Sequence, residues 1–122
     1  MSKIRMERRR KVLDFTPVVD VHTNTPLGYL GDLTLKGALM ISENPVEPGQ
    51  TLTVTVEFRE TPDTPPSSHM IVSVRVAWCK LEEHRTYYNV GLEFTDMLEK
   101  NKLLIGEILE KYEFSRRMPK KG

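Results

Sequence analysis

Two short clusters carry side chains that could hold a ligand. Near the start lies Arg5-Met-Glu-Arg8-Arg9-Arg10, which contains the spacing R-x-x-x-R at Arg5 and Arg9. Further on, Asp32-Leu-Thr34-Leu-Lys-Gly37 sits between two apolar, strand-like runs. Guanidinium forks donate in pairs to phosphate and to the O6/N7 edge of guanine. A carboxylate beside a hydroxyl supplies acceptors for the N–H groups on the opposite guanine edge. A fold that joins the two clusters therefore makes a pocket for a phosphorylated guanine ligand.

The other reactive residues form no such set. His22, His69 and His84 are far apart and lack cysteine or carboxylate neighbours at ligand spacing, so no metal site is expected. Cys79 is the single cysteine and lies beside Trp78 in a strand-like run, where it reads as a packed residue. It allows no internal disulfide and fits a reducing cytoplasm. No Ser/His/Asp set, phosphate-binding loop or pair of carboxylates stands out. The expectation is a protein that is not an enzyme and carries no cofactor.

The 122 residues suit one domain with one core, and 39% hydrophobic with 29% charged content is ordinary for a soluble globular chain. No apolar run approaches the roughly 18 residues of a membrane span, so no stable membrane insertion is expected. No apolar stretch follows the basic N-terminus, so a signal peptide is not expected either. The predicted location is cytoplasmic.

The net charge of +1 hides an asymmetry. Residues 1–11 carry six Lys/Arg against Glu7, and residues 116–121 carry four more with no acid. The remaining 8 basic and 16 acidic residues leave the body at −8. A general nucleic-acid binder spreads cations over its folded surface. It would also stack bases on exposed aromatics along a basic face, whereas only nine aromatics occur here, several at strand positions that read as buried. Nucleic acid is therefore not the expected partner, and a local anion site fits better.

The elements that must position these clusters are mostly strands. Val12–Val21 reads as extended, with Pro17 arguing for an edge or a bulge. Thr23–Pro26 is turn chemistry, Leu27–Leu30 begins a second strand, and Gly37–Ser42 is a third that stops at Glu43–Gly49. Thr51–Phe58 alternates cleanly, and 61–68 is a polar, proline-rich connection expected to be exposed and mobile. Ile71–Trp78 and Tyr87–Phe94 form a last pair joined through Glu82–Arg85. The period then turns helical. Asp96 and Glu99 predict a capping box, and Leu98, Ile105, Leu109 and Tyr112 form a stripe flanked by Met97, Leu104 and Ile108, with Gly106 weakening the helix. Six short strands and one amphipathic helix predict an all-β fold: a six-stranded antiparallel β-barrel with one C-terminal α-helix packed on it.

In this order, the two clusters resemble the signature of the PilZ domains, bacterial receptors for cyclic di-GMP: R-x-x-x-R before the first strand, then D/N-x-S/T-x-x-G between the second and third. Thr25–Ser42 is similar to the family's second and third strands, and Val76–Cys79 and Val90–Phe94 to its last two. The likeness runs from about residue 5 to 112, so the chain resembles a single-domain member. Thr34 stands where serine is commoner and keeps the hydroxyl. Two arginine registers stay open: Arg5 and Arg9 match the spacing, whereas Arg10 matches the distance to the strand but would leave Met6 as its partner.

The resemblance implies the same barrel and a cyclic di-GMP site at Arg9, Arg5, Arg10, Asp32, Thr34 and Gly37. The arginines would pair with phosphate, read O6/N7 and stack on a base. Asp32 and Thr34 would accept from the guanine N1–H and N2–H₂ edge, and Gly37 would allow close backbone approach or a positive φ. The expected layout is a flexible basic arm at 1–11, a barrel with its helix at 12–114, and a basic, disordered tail at 115–122. Ligand would order the arm and signal to an unidentified downstream protein, with the chain a monomer or weak dimer. The alternative is a degenerate adaptor of the same fold that binds protein and no nucleotide.

Overall fold

The computed structural model describes residues 11–13, 15–59, 63, 66 and 68–114. Arg5, Arg9 and Arg10 lie outside the described residues, as do most of the proline-rich connection and the tail 115–122. The elements run β1 (Lys11–Leu13), β2 (Pro17–Asp20), β3 (Thr25–Leu33), β4 (Gly37–Ser42), β5 (Thr51–Phe58), β6 (Ser68–Leu81), β7 (Tyr88–Asp96), α1 (Glu99–Lys111) and β8 (Tyr112–Phe114). Strands β2 to β7 close into a barrel in the order β2-β3-β4-β7-β6-β5 with every pair antiparallel. This is the six-stranded barrel with one C-terminal helix that the alternation predicts.

Period-two patterning builds it. In β5, Val54, Val56 and Phe58 point inward and are buried while Thr53, Thr55 and Glu57 alternate between them. Val72, Val74 and Val76 of β6 and Met40 and Val90 of β4 and β7 join the same core. Each such side chain contributes roughly 1.5–3 kcal/mol by leaving water. Closure also leaves the barrel with no unpaired strand edge.

The first strand departs from the reading. Val12–Val21 is not one strand, because Phe15 and Thr16 belong to none. Pro17 has no N–H to give to a ladder, and it stands first in β2, where that lack is tolerated. Thr16 accepts instead from the Leu30 N–H at 2.8 Å. Upstream, β1 leaves the barrel and pairs in parallel with β8, with Leu13 buried in the core. Strand β8 also packs against β3, the strand that carries Asp32.

The helix start is a second correction. Asp96 does not cap α1: it is the last residue of β7 and pairs with Ser73. Leu98 takes the cap position with no side-chain bond, and its C=O accepts from the Asn101 and Lys102 N–H groups. The buried face is set by Asn101, Ile105 and Ile108, with Leu98 half exposed rather than on the stripe. Asn101 Nδ2 donates to the Ile71 C=O at 3.0 Å and fastens the helix to β6. Ile105 and Ile108 share the core with Phe58, whose ring faces Phe114 at 6.4 Å.

Candidate functional site

Strict alternation would put Asp32 inside the barrel, on the same side as Leu30. One extra residue, Gly31, changes this. It forms a bulge in β3, so that Leu30 pairs with Met40 and Asp32 with Leu39. Leu33 then takes the inward place and Asp32 turns to the outer wall. A second bulge does the same in β6. Val72, Val74 and Val76 are buried, and Trp78 would follow them, but Ala77 is the extra residue and Trp78 turns outward, 47% exposed.

The two turned residues share one row across four strands. Asp32 pairs with Leu39, Leu39 with Gly91, and Gly91 with Trp78. Strands lie about 4.8 Å apart, so Asp32 and Trp78 stand about 14 Å apart along the wall. The Trp78 indole reaches back over Gly91, filling the space a side chain there would take. That leaves about two strand spacings, with Leu39 as the floor, between an aromatic ring and a carboxylate.

The motif's turn closes one end of this row. The Thr34 N–H donates to the Gly37 C=O at 2.9 Å, and Thr34 Oγ1 accepts from the Lys36 and Gly37 N–H groups at 3.1 and 3.2 Å. The same hydroxyl donates to the Gly37 C=O at 3.3 Å. Its two acceptor sites are thus used by the turn, and its donor bond is the longest of the three. Asp32 Oδ1 accepts from the Leu33 N–H at 2.9 Å, which fixes the direction of the carboxylate.

Gly37 pairs with Glu93, and a Cβ built on it would run into the backbone oxygen of Leu92. Positive φ among the described glycines occurs at Gly49, not at Gly37. Close backbone approach is therefore what Gly37 provides, toward β7 of its own barrel. Beside it, Arg75 Nε and Nη2 donate to Glu93 Oε1 at 3.1 and 2.7 Å.

Two cavities on this wall share Asp32, Leu39 and Trp78 in their linings. The smaller, about 370 Å³, is lined by the Thr34–Gly37 turn, Gly91 and Glu93. The larger, about 900 Å³, continues past Trp78 to Lys80, Glu82, Tyr87 and Asn89, where Asn89 Nδ2 donates to Glu82 Oε1. Their lining holds Lys36 and Lys80 against Asp32, Glu82, Glu83 and Glu93. Described residues alone thus give the wall an excess of negative charge.

The structure brings Asp32, Thr34 and Gly37 together, whereas Arg5, Arg9 and Arg10 lie outside the described residues. Trp78 and Gly91 line the same cavity as Asp32, Thr34 and Gly37 without belonging to either sequence cluster. A glycine inside a strand marks close approach, and that was the available signal. The PilZ domain family model matches residues 4–111 of the chain. No curated protein matches it.

Proposed function

The chain belongs to the PilZ domain family, and from that membership we propose that it is a non-catalytic receptor for cyclic di-GMP. The observation that carries this reading is the row Asp32–Leu39–Gly91–Trp78. It offers an aromatic face, an apolar floor and a fixed carboxylate at spacings that suit a purine. Asp32 accepts from the guanine N1–H and N2–H₂ groups, which adenine cannot match. Trp78 stacks on the base. Thr34 shapes the turn and redirects its hydroxyl proton to a ligand oxygen.

The phosphates need cations that the wall lacks, and Arg9, Arg5 and Arg10 supply them through bidentate, charge-assisted bonds. Ligand then bridges the arginine arm and the barrel, and the ordered arm signals to a downstream protein partner. The chain acts in the cytoplasm as a monomer or weak dimer. No helix among the described residues is long and apolar enough to cross a membrane.

Isothermal titration with cyclic di-GMP, alongside Arg9→Ala, Asp32→Ala and a cyclic di-AMP control, tests the reading. Saturable binding of the guanine ligand alone, lost in both variants, is expected. Absence of heat at ligand concentrations up to about 100 μM, where even micromolar sites register, would replace the receptor with an adaptor that binds protein only.

A further inference from the structure

We propose that Gly91 is a positioning residue for this site: it is the seat that holds the Trp78 indole in line with Asp32. The proposal rests on the ligand reading above and adds the device that makes it work. Three observations carry it. The bulge at Ala77 turns Trp78 out of the core row of Val72, Val74 and Val76. Its cross-strand partner is Gly91, and a Cβ there would collide with Nε1 and Cε2 of the indole and lie 2.9 Å from Cδ1. Trp78 nevertheless stays 47% exposed while lining both cavities with Asp32 and Leu39.

A tryptophan that only covered a glycine for packing would gain most by burying both faces. Here the ring lies over Gly91 and Trp78 stays nearly half exposed, about two strand spacings from the Asp32 carboxylate. Such a ring is placed for stacking. Because it is laid down before ligand arrives, binding need not order a rotamer-rich side chain.

Gly91 also differs from Gly37 in what a methyl group would meet. At Gly37 the obstacle is backbone of the paired strand, which cannot yield without opening the ladder. At Gly91 it is the indole of an exposed side chain, which can swing away by rotation about its own bonds. Gly91→Ala therefore displaces the indole and leaves the barrel intact.

Trp78 is the chain's one tryptophan, so intrinsic fluorescence reads this residue alone. The experiment compares emission maximum, acrylamide quenching, thermal midpoint and cyclic di-GMP affinity in wild type, Gly91→Ala, Trp78→Ala and the double variant. Gly91→Ala is expected to red-shift the emission and increase quenching without ligand, with a midpoint within a few degrees of wild type. Its affinity should fall about tenfold or more, the scale of one lost base–aromatic stack. Trp78→Ala should lose a similar factor, and the double variant should lose no more than either single change.

Unchanged emission in Gly91→Ala, or losses that multiply in the double variant, would overturn the proposal. A collapse of the thermal midpoint in Gly91→Ala would also overturn it, by making the glycine a fold requirement. Failure of wild type to bind cyclic di-GMP would remove the ligand reading, while the ligand-free emission would still decide whether Gly91 seats the indole.

Discussion

Replacing Gly37 by alanine places a methyl carbon against the Leu92 carbonyl oxygen, 3.3 Å from the Leu92 carbonyl carbon and 3.5 Å from Glu93 Cα. All three atoms belong to β7, the strand that pairs with β4. Carbon and oxygen settle no closer than about 3.3 Å even in favourable C–H···O contacts, so the strands must part by about 1 Å at this pair. One backbone bond between these strands lies in the path of that movement: the Phe94 N–H donates to the Lys36 C=O at 3.0 Å. Weakening it costs about 0.5–1.5 kcal/mol, and forced overpacking adds about 1–3 kcal/mol. The sum is roughly 3 kcal/mol, or about 10 °C in the melting midpoint of a domain this size. Circular dichroism melts of wild type and Gly37→Ala measure it. A variant that melts within about 2 °C of wild type yet no longer binds cyclic di-GMP would refute the reasoning and return Gly37 to direct ligand contact.

Three further outcomes follow from other positions. Asn101→Ala removes the bond to the Ile71 C=O from a buried site, so urea titration should show a loss of about 1–2 kcal/mol. Gly106→Ala should stabilise the chain by about 0.5–1 kcal/mol in the same assay, because it lies inside α1 with open space where the methyl would go. Deletion of residues 1–10 should leave the melting midpoint within a few degrees of wild type and abolish cyclic di-GMP binding in calorimetry, since the described wall carries more carboxylates than amines.

The parts of the fold legible in the sequence are those that alternate. From Val54 to Phe58 buried residues alternate with half-buried ones, and β5 runs through Thr51–Phe58 without interruption. Pro17 marks its place because a missing N–H is a hard constraint. The β1–β8 pair was not legible, since three residues on each side have no period to read and pair across the length of the chain. Asp96 and Glu99 have the spacing of a capping box, but ladder pairing with Ser73 holds Asp96 in β7 and leaves the cap position to Leu98.

The site shows the same division. Asp32, Thr34 and Gly37 lie close in sequence, and their turn is local. Trp78 was hidden by the alternation itself. The run of Val72, Val74 and Val76 points inward, and nothing in the residue types announces that Ala77 is inserted as a bulge. Gly31 hides its bulge in β3 in the same way, although there the acidic side chain betrays the outward turn. Bulges that re-aim a side chain are set by the pairing of distant strands.

The most direct test of the central claim is a nuclear magnetic resonance titration of isotope-labelled protein with cyclic di-GMP. The account predicts chemical-shift changes concentrated in Asp32–Gly37, Leu39, Gly91 and the Trp78 indole N–H, with the rest of the barrel largely unmoved. Shifts centred on α1, or no shifts at saturating ligand, would contradict it.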